Sequence, residues 1–291
     1  MCSCCRAVGT RTWPRFSPSE RRGRAPAPVS AVVETGLTRI SAAFAARGGR
    51  AALMPYLMGG HPDLEESKAC CAAAADAGAD LIELGVPFSD PLADGPVIHA
   101  AGTRALGAGV TPAQVLEVCD AAARRLPVVL MVYANVVLAG GAEAYVRRAA
   151  SAGASGLIVP DLPHDEAGEL RAACDAEGVA LVPLVAPTTP QERLERIGRD
   201  ARGFVYVVSV AGTTGERSEI DAQLPGVVER TRRTTDLPVA VGFGISTAQQ
   251  AASVAELADG VIVGSRVVRA AEEGGAAGVR AVVEDLAAAL G

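Results

Sequence analysis

From residue 37 onward the chain keeps one rhythm. Short β-branched or aliphatic runs ending in Gly, Pro or Asp alternate with Ala-rich segments of helical period. The strand candidates are ALMPYLMG (52–59), LIELGVPF (81–88), VVLMVYA (128–134), GLIVPDL (156–162), LVPLVAP (181–187), GFVYVVSV (203–210), VAVGFGIS (239–246) and GVIVGSR (260–266). Helical segments such as EESKACCAAAADAG, AEAYVRRAASAG and TAQQAASVAELADG lie between them, several closing on Gly, the usual residue just past a helix end. Eight β–α units with near-continuous apolar strands specify an α/β protein built as a closed (β/α)8 barrel of the TIM type. An open doubly wound sheet is the rival, but its dinucleotide fingerprint is missing. The nearest match, GFGIST (242–247), has Thr where the third Gly belongs and falls at the seventh strand instead of the first. A further helical segment, LTRISAAFAARG, precedes the first strand and is placed to plug the barrel bottom. The expectation is a single barrel domain over residues 35–291.

Residues 1–34 differ in kind. They carry six Arg against Glu20 and Glu34, so +4, which leaves −10 for the remainder of a chain at −6. The segment has no apolar core of secretory type. Three readings stay open: a disordered tail, an organelle transit peptide, or translation from a start set too far upstream. Lys68 is the only Lys, which points to a GC-rich genome and favours a tail without function. A cytoplasmic location is expected, or a plastid one if the tail is a transit peptide. The acidic balance argues against nucleic acid or anionic membrane as a partner, and no apolar run is long enough to span a bilayer. Of seven Cys, Cys2, Cys4 and Cys5 lie in the tail, while Cys70, Cys71, Cys119 and Cys174 fall in helical segments. None has metal-site spacing, so they read as small buried hydrophobes.

Chemistry in such a barrel gathers at the C-terminal ends of the strands. Alternation along LIELG puts Leu81, Glu83 and Gly85 on one face; facing inward, Glu83 would lie in the barrel mouth with its pKa raised toward the range of a general acid. Asp94 sits in the stiff turn PLADGP, where an exposed carboxylate would stay ionised. Two acids in unlike environments suit divided roles. GFGIS (242–246) and VGSR (263–266) end the last two strands, where such barrels commonly hold phosphate. Gly242, Gly244 and Gly264 permit close approach, and the Ser265 hydroxyl adds a donor. SVAGTTGERSEI (209–220) has the composition of a lid, with Gly212 and Gly215 as hinges and Thr214 able to bond a catalytic acid. Tyr133, Asn135, Asp161 and Tyr206 complete a half-apolar mouth suited to an aromatic phosphate ester. No motif calls for a metal or a nicotinamide.

ELGVPFSDPLADGP, together with YLMGGHPD, MVYANVV, VPDLP, SVAGTTGER, GFGIS and VGS in that order, resembles the tryptophan synthase alpha chain family over roughly residues 37–290. The resemblance implies a carbon–carbon lyase of tryptophan biosynthesis. Its reaction would be retro-aldol cleavage of indole-3-glycerol phosphate to indole and D-glyceraldehyde 3-phosphate, with no cofactor in this chain. It assigns Glu83 as the acid that protonates indole C3 and helps take the glycerol hydroxyl proton. Asp94 becomes the acceptor for the indole N–H. Gly215, Phe243, Gly244, Gly264 and Ser265 match phosphate-binding positions, and Tyr206 lies near the glycerol hydroxyls. Tyr56, Tyr133, Ile158 and Asp161 match the indole-pocket wall and its surroundings, and Thr214 the lid threonine. It further implies an α2β2 heterotetramer in which a pyridoxal-phosphate beta chain receives indole and faces the loop around Pro87 and Asp90. A freestanding lyase and a mainly allosteric, non-catalytic subunit are the alternatives.

Overall fold

Alternation along the strands sorts the apolar side chains into two cores. On β1 (Ala52–Met58), Ala52, Met54, Tyr56 and Met58 belong to one buried cluster, Leu53 and Leu57 to the other. β2 (Ile82–Gly85) and β3 (Val128–Met131) repeat the pattern, with Leu81, Val129 and Met131 in the first cluster and Ile82, Leu84, Val128 and Leu130 in the second. The first cluster is the barrel interior; the second fills the layer between strands and helices. The computed structural model describes residues 34–208, 222–242 and 244–291, so the tail expected over 1–34 lies outside them apart from Glu34.

The remaining strands are β4 (Ala154–Ile158), β5 (Ala180–Leu181), β6 (Leu184–Val185), β7 (Val205–Val208), β8 (Val239–Gly242) and β9 (Gly260–Val263). All pair in parallel, in the order β5-β4-β3-β2-β1-β9-β8-β7-β6. The two ends of that order, β5 and β6, are separated in sequence only by Val182 and Pro183. Val182 N–H donates to Leu157 O on one side (2.9 Å), and Pro183 O accepts from Tyr206 N–H on the other (3.0 Å). Residues 180–185 are therefore one barrel strand, interrupted at a proline that has no N–H to give, and the sheet closes through it. The fold is the expected (β/α)8 barrel.

The helix before β1 spans Gly36–Ala46, started by a reciprocal capping box between Thr35 and Thr38. Its buried face, Ile40 and Phe44, belongs to the interior core. Phe44 packs on Phe204 with ring centroids 5.7 Å apart and lies beside Gly260, while Ile40 lies beside Gly203, both glycines being at the N-terminal ends of strands. The helix thus covers the end of the barrel opposite the mouth. Arg39 of the same helix donates to the carbonyls of Gly153 (3.2 Å), Leu126 (3.0 Å) and Ala123.

Several strands stop short of the apolar runs that mark them. The run 81–88 yields β2 ending at Gly85, 128–134 yields β3 ending at Met131, and 260–266 yields β9 ending at Val263. Val86 and Val132 continue the first two runs in buried positions, their N–H groups still bonded to Met131 O (2.8 Å) and Ile158 O (2.9 Å), whereas half-buried Gly264 and Ser265 open the next helix. Cys70, Cys71, Cys119 and Cys174 are buried free thiols, each pushed up by burial, as their helical setting implied.

Truncating Ile40 to Ala removes a fully buried side chain from the barrel floor and should cost about 2–4 kcal/mol of unfolding free energy, measured by urea titration. A loss below about 0.5 kcal/mol would show that this helix does not seal the interior.

Candidate active site at the barrel mouth

Glu83 points into the interior, where only 3% of it is exposed. Strand register fixes its neighbours: Tyr56 on β1 and Val129 on β3 stand directly opposite it. Burial raises its pKa from 4.5 to about 8, and the nearby Asp94 charge adds to the rise. Its Oε1 has no hydrogen-bond partner among the described residues. Two phenols share this environment. Those of Tyr56 and Tyr206 are both held far above their usual range, first by burial and then by carboxylates, Glu83 among them in each case.

Both phenols occupy space that glycine leaves. A Cβ built on Gly85 would fall 2.0 Å from Tyr56 Oη, and one on Gly242 would fall 2.1 Å from Tyr206 Oη. The sequence reads Gly242 as room for phosphate; in the structure the space of its missing side chain is taken up by Tyr206. For Gly85 the sequence indicates only a face shared with Leu81 and Glu83. An inward glycine beside a neighbouring strand's tyrosine is the signal that would have found both.

Asp94 departs from expectation. It is half-buried, not exposed, and burial pushes its carboxyl pKa up. A hydrogen bond from Tyr133 Oη to Asp94 Oδ1 (2.9 Å) works against that rise, as does the charge of His99. Tyr133 also accepts from Ala93 N–H (3.1 Å) and stacks on Phe88 with centroids 5.1 Å apart. Ile158 is fully buried in the interior wall. Asp161 Oδ1 accepts from Ala134 N–H at 2.8 Å and thereby anchors the start of the short helix Ala134–Leu138, so this carboxylate is engaged in shaping the pocket's edge.

The anion end lies two strands from Glu83. β9 pairs with β1, and its last residue is followed by Gly264, the N-cap of the helix Ser265–Leu290. Gly264 carries no capping side chain, so the first turn at Ser265 presents the positive end of a helix toward the mouth, the run to Leu290 being broken at Gly275, where the backbone leaves helical geometry. Gly244 takes φ +77, a conformation that favours glycine. The next turn is already committed: Ser246 and Thr247 N–H both donate to Gln250 Oε1 (2.8 and 3.1 Å). From β2 across β1 to β9 is two interstrand steps, about 10 Å. Thr214, Gly215 and Phe243 lie outside the described residues, as does the whole of the segment 209–220.

The buried carboxyl has a consequence for stability. Its pKa is raised on folding, so between about 4.5 and about 8 the folded state holds a proton that the unfolded state has lost, and stability falls as pH rises through that window. Glu83→Gln removes the titration. The variant should gain on the parent by on the order of a few kcal/mol between pH 5 and pH 8.5, read from paired denaturant titrations. A gap that stays flat across that range would mean Glu83 is ionised in the folded barrel.

A family model described as tryptophan synthase alpha chain matches residues 43–290. A tryptophan synthase alpha chain of Synechococcus sp. (strain CC9902) is 52% identical over 226 residues, covering 77% of this chain and 84% of its own. That of Carboxydothermus hydrogenoformans is 49% identical over 240 residues, 81% of this chain and 90% of its own. Among solved structures, a chain of Mycobacterium tuberculosis tryptophan synthase superposes with a TM-score of 0.82 at 41% identity, covering 87% of this chain and 98% of that one. The subunit alpha of Legionella pneumophila gives 0.79 at 32% identity, covering 87% and 98%. With this match running through the barrel and both ends of its mouth, the chain belongs to the tryptophan synthase alpha chain family.

Proposed function

We propose that Glu83 and Asp94 divide the acid–base work of the family's reaction, the retro-aldol cleavage of indole-3-glycerol phosphate to indole and D-glyceraldehyde 3-phosphate. The observation that carries the assignment is the contrast between the two acids. Glu83, buried and pushed up to about 8, is a carboxylic acid at neutral pH; Asp94, half-buried, receives the Tyr133 O–H bond that favours its anion. Glu83 donates its proton to indole C3, giving an indolenine cation whose N–H bonds to Asp94. The Glu83 carboxylate then takes the proton of the glycerol hydroxyl next to the ring. The C–C bond breaks, its electron pair restores the indole, and the aldehyde leaves. Protons balance, with Glu83 returned to its starting form, and every step is a proton transfer or a bond cleavage.

The positive helix end at Ser265 and the turn at Gly244 receive the phosphate about 10 Å from the acid, a span that matches a three-carbon ester arm. Gly215, Phe243 and Thr214 are assigned to phosphate and lid by family motif. The buried wall formed by Tyr56, Tyr133, Tyr206 and Ile158 accepts the indole ring. Pyridoxal phosphate belongs to the beta chain of tryptophan synthase, so this chain carries no cofactor of its own.

Members of the family pair with a beta chain, and an α2β2 assembly is proposed for this one. The exposed segment Ser89–Leu92, with Leu92 78% exposed, presents a surface for that partner beside Asp94. No described helix is long and apolar enough to cross a membrane, and the relatives named are bacterial, which supports a cytoplasmic setting.

The test is indole release from indole-3-glycerol phosphate by the purified chain, with and without a cognate beta chain. Slow turnover that beta accelerates is expected, falling as pH rises through about 8 because the acid form of Glu83 starts the reaction. Glu83→Gln should lower kcat by roughly 10²–10⁴-fold. Fast turnover without beta would indicate a freestanding lyase, and no indole in either condition would overturn the assignment.

A further inference from the structure

The β2 loop is tied down at one atom. Among the described residues, both hydrogen bonds that join segment 89–94 to the rest of the protein end on Tyr133 Oη: one from Ala93 N–H (3.1 Å), the other to Asp94 Oδ1 (2.9 Å). Elsewhere the segment faces solvent, with Ser89, Asp90 and Leu92 exposed. The direction of the two bonds is fixed by chemistry. A backbone N–H can only donate, so the phenol oxygen accepts from Ala93, and its single proton is then available for Asp94. The ring cannot swing away freely, because it is buried and stacked on Phe88 at 5.1 Å. Phe88 itself opens the loop. The phenol therefore touches the loop at its beginning, through the ring, and near its end, through the oxygen.

Building on the assignment of Asp94 as the acceptor for the substrate N–H, we infer that Tyr133 is a positioning residue: its phenol clamps the β2 loop and aims the Asp94 carboxylate at the ring nitrogen. One carboxylate oxygen is held by Tyr133, leaving Oδ2 to face the ligand. Residues 39 positions apart in sequence are thus made to act together, Tyr133 from the end of β3 and Asp94 from the loop after β2. The groups that face Asp94 are Tyr133 from β3, His99 from the helix Pro96–Gly107, Glu83 from β2 and Tyr56 from β1. Only the first is altered by the substitution below.

Tyr133→Phe keeps the ring and its stack and deletes the oxygen. Three measurements read the result: ¹³C titration of the Asp94 carboxyl, exchange of the Ala93 amide, and the pH profile of kcat/KM for indole release. Loss of the O–H donor should move the Asp94 midpoint and the acid limb of the profile to higher pH and speed Ala93 exchange. It should also lower kcat/KM by roughly 10- to 100-fold, the usual effect of deleting a hydrogen bond to a charged group. Replacing Tyr133 by 3-fluorotyrosine, a stronger donor of nearly the same size, should move the Asp94 midpoint the other way, and this arm carries the test if the phenylalanine variant fails to fold. An Asp94 midpoint and acid limb unchanged in both variants would overturn the inference and leave Tyr133 as pocket wall. If the Asp94 midpoint shifts as expected but the parent chain releases no indole, the clamp stands and the lyase assignment falls.

Discussion

A carboxyl group in the dry interior of a barrel is the constraint on which the rest of this site depends. Glu83 stands on β2 between Tyr56 and Val129, and no cation or backbone N–H among the described residues compensates its charge. Burying an ionised carboxylate there would cost more than a domain can spare, so the group answers by holding its proton. The neutral acid is thus a product of the packing around it. The flanking phenols fit the same logic, since burial keeps both protonated and each offers a polar tip without a charge.

The second acid shows how little separates two roles. Glu83 and Asp94 are eleven positions apart, one on the strand and the other on the loop leaving it, and burial pushes both carboxyls upward. Only Asp94 has groups that pull the other way, the Tyr133 hydroxyl and the charge of His99. The division of labour therefore rests on second partners more than on depth. It also explains why Asp94 belongs on a loop: a strand position beside Glu83 would leave its ladder neighbours no room for a donor such as Tyr133, which arrives from the next strand over.

The sequence carries the barrel and the two faces of β2 plainly, because period-2 alternation and strand count are local patterns that one chain displays. LIELG alone puts Glu83 on one face with Leu81 and Gly85, and the packing of Leu81 and Glu83 in the structure shows that this face is the inward one. The exposure of Asp94 could not be read in this way. PLADGP reads as an exposed turn from its composition, and what half-buries it is Tyr133 and Phe88, brought together by the pairing of β2 with β3. The strand ends were overrun for a related reason. Val86 and Val132, just past Gly85 and Met131, stay apolar because they are buried, so composition cannot tell where those strands stop. Asp161 shows a third limit: its motif places it at the pocket, while its oxygen serves Ala134 N–H.

Closure of the sheet at a proline bears on the site as well. Pro183 interrupts the strand between β5 and β6, and without an N–H it adds nothing to the ladder there, yet its carbonyl still accepts from Tyr206. That bond fixes the backbone of the residue whose phenol fills the notch over Gly242. The notch in turn keeps the phenol on the Glu83 side of the interior, where burial first and then the Glu83 carboxyl hold the phenol well above its usual range. The barrel's seam is therefore mechanically continuous with its acid. A wider side chain at Gly242 would not simply crowd the phosphate end; it would displace Tyr206, open the interior beside Glu83 to water, and let the carboxyl ionise in the range where it has to remain an acid.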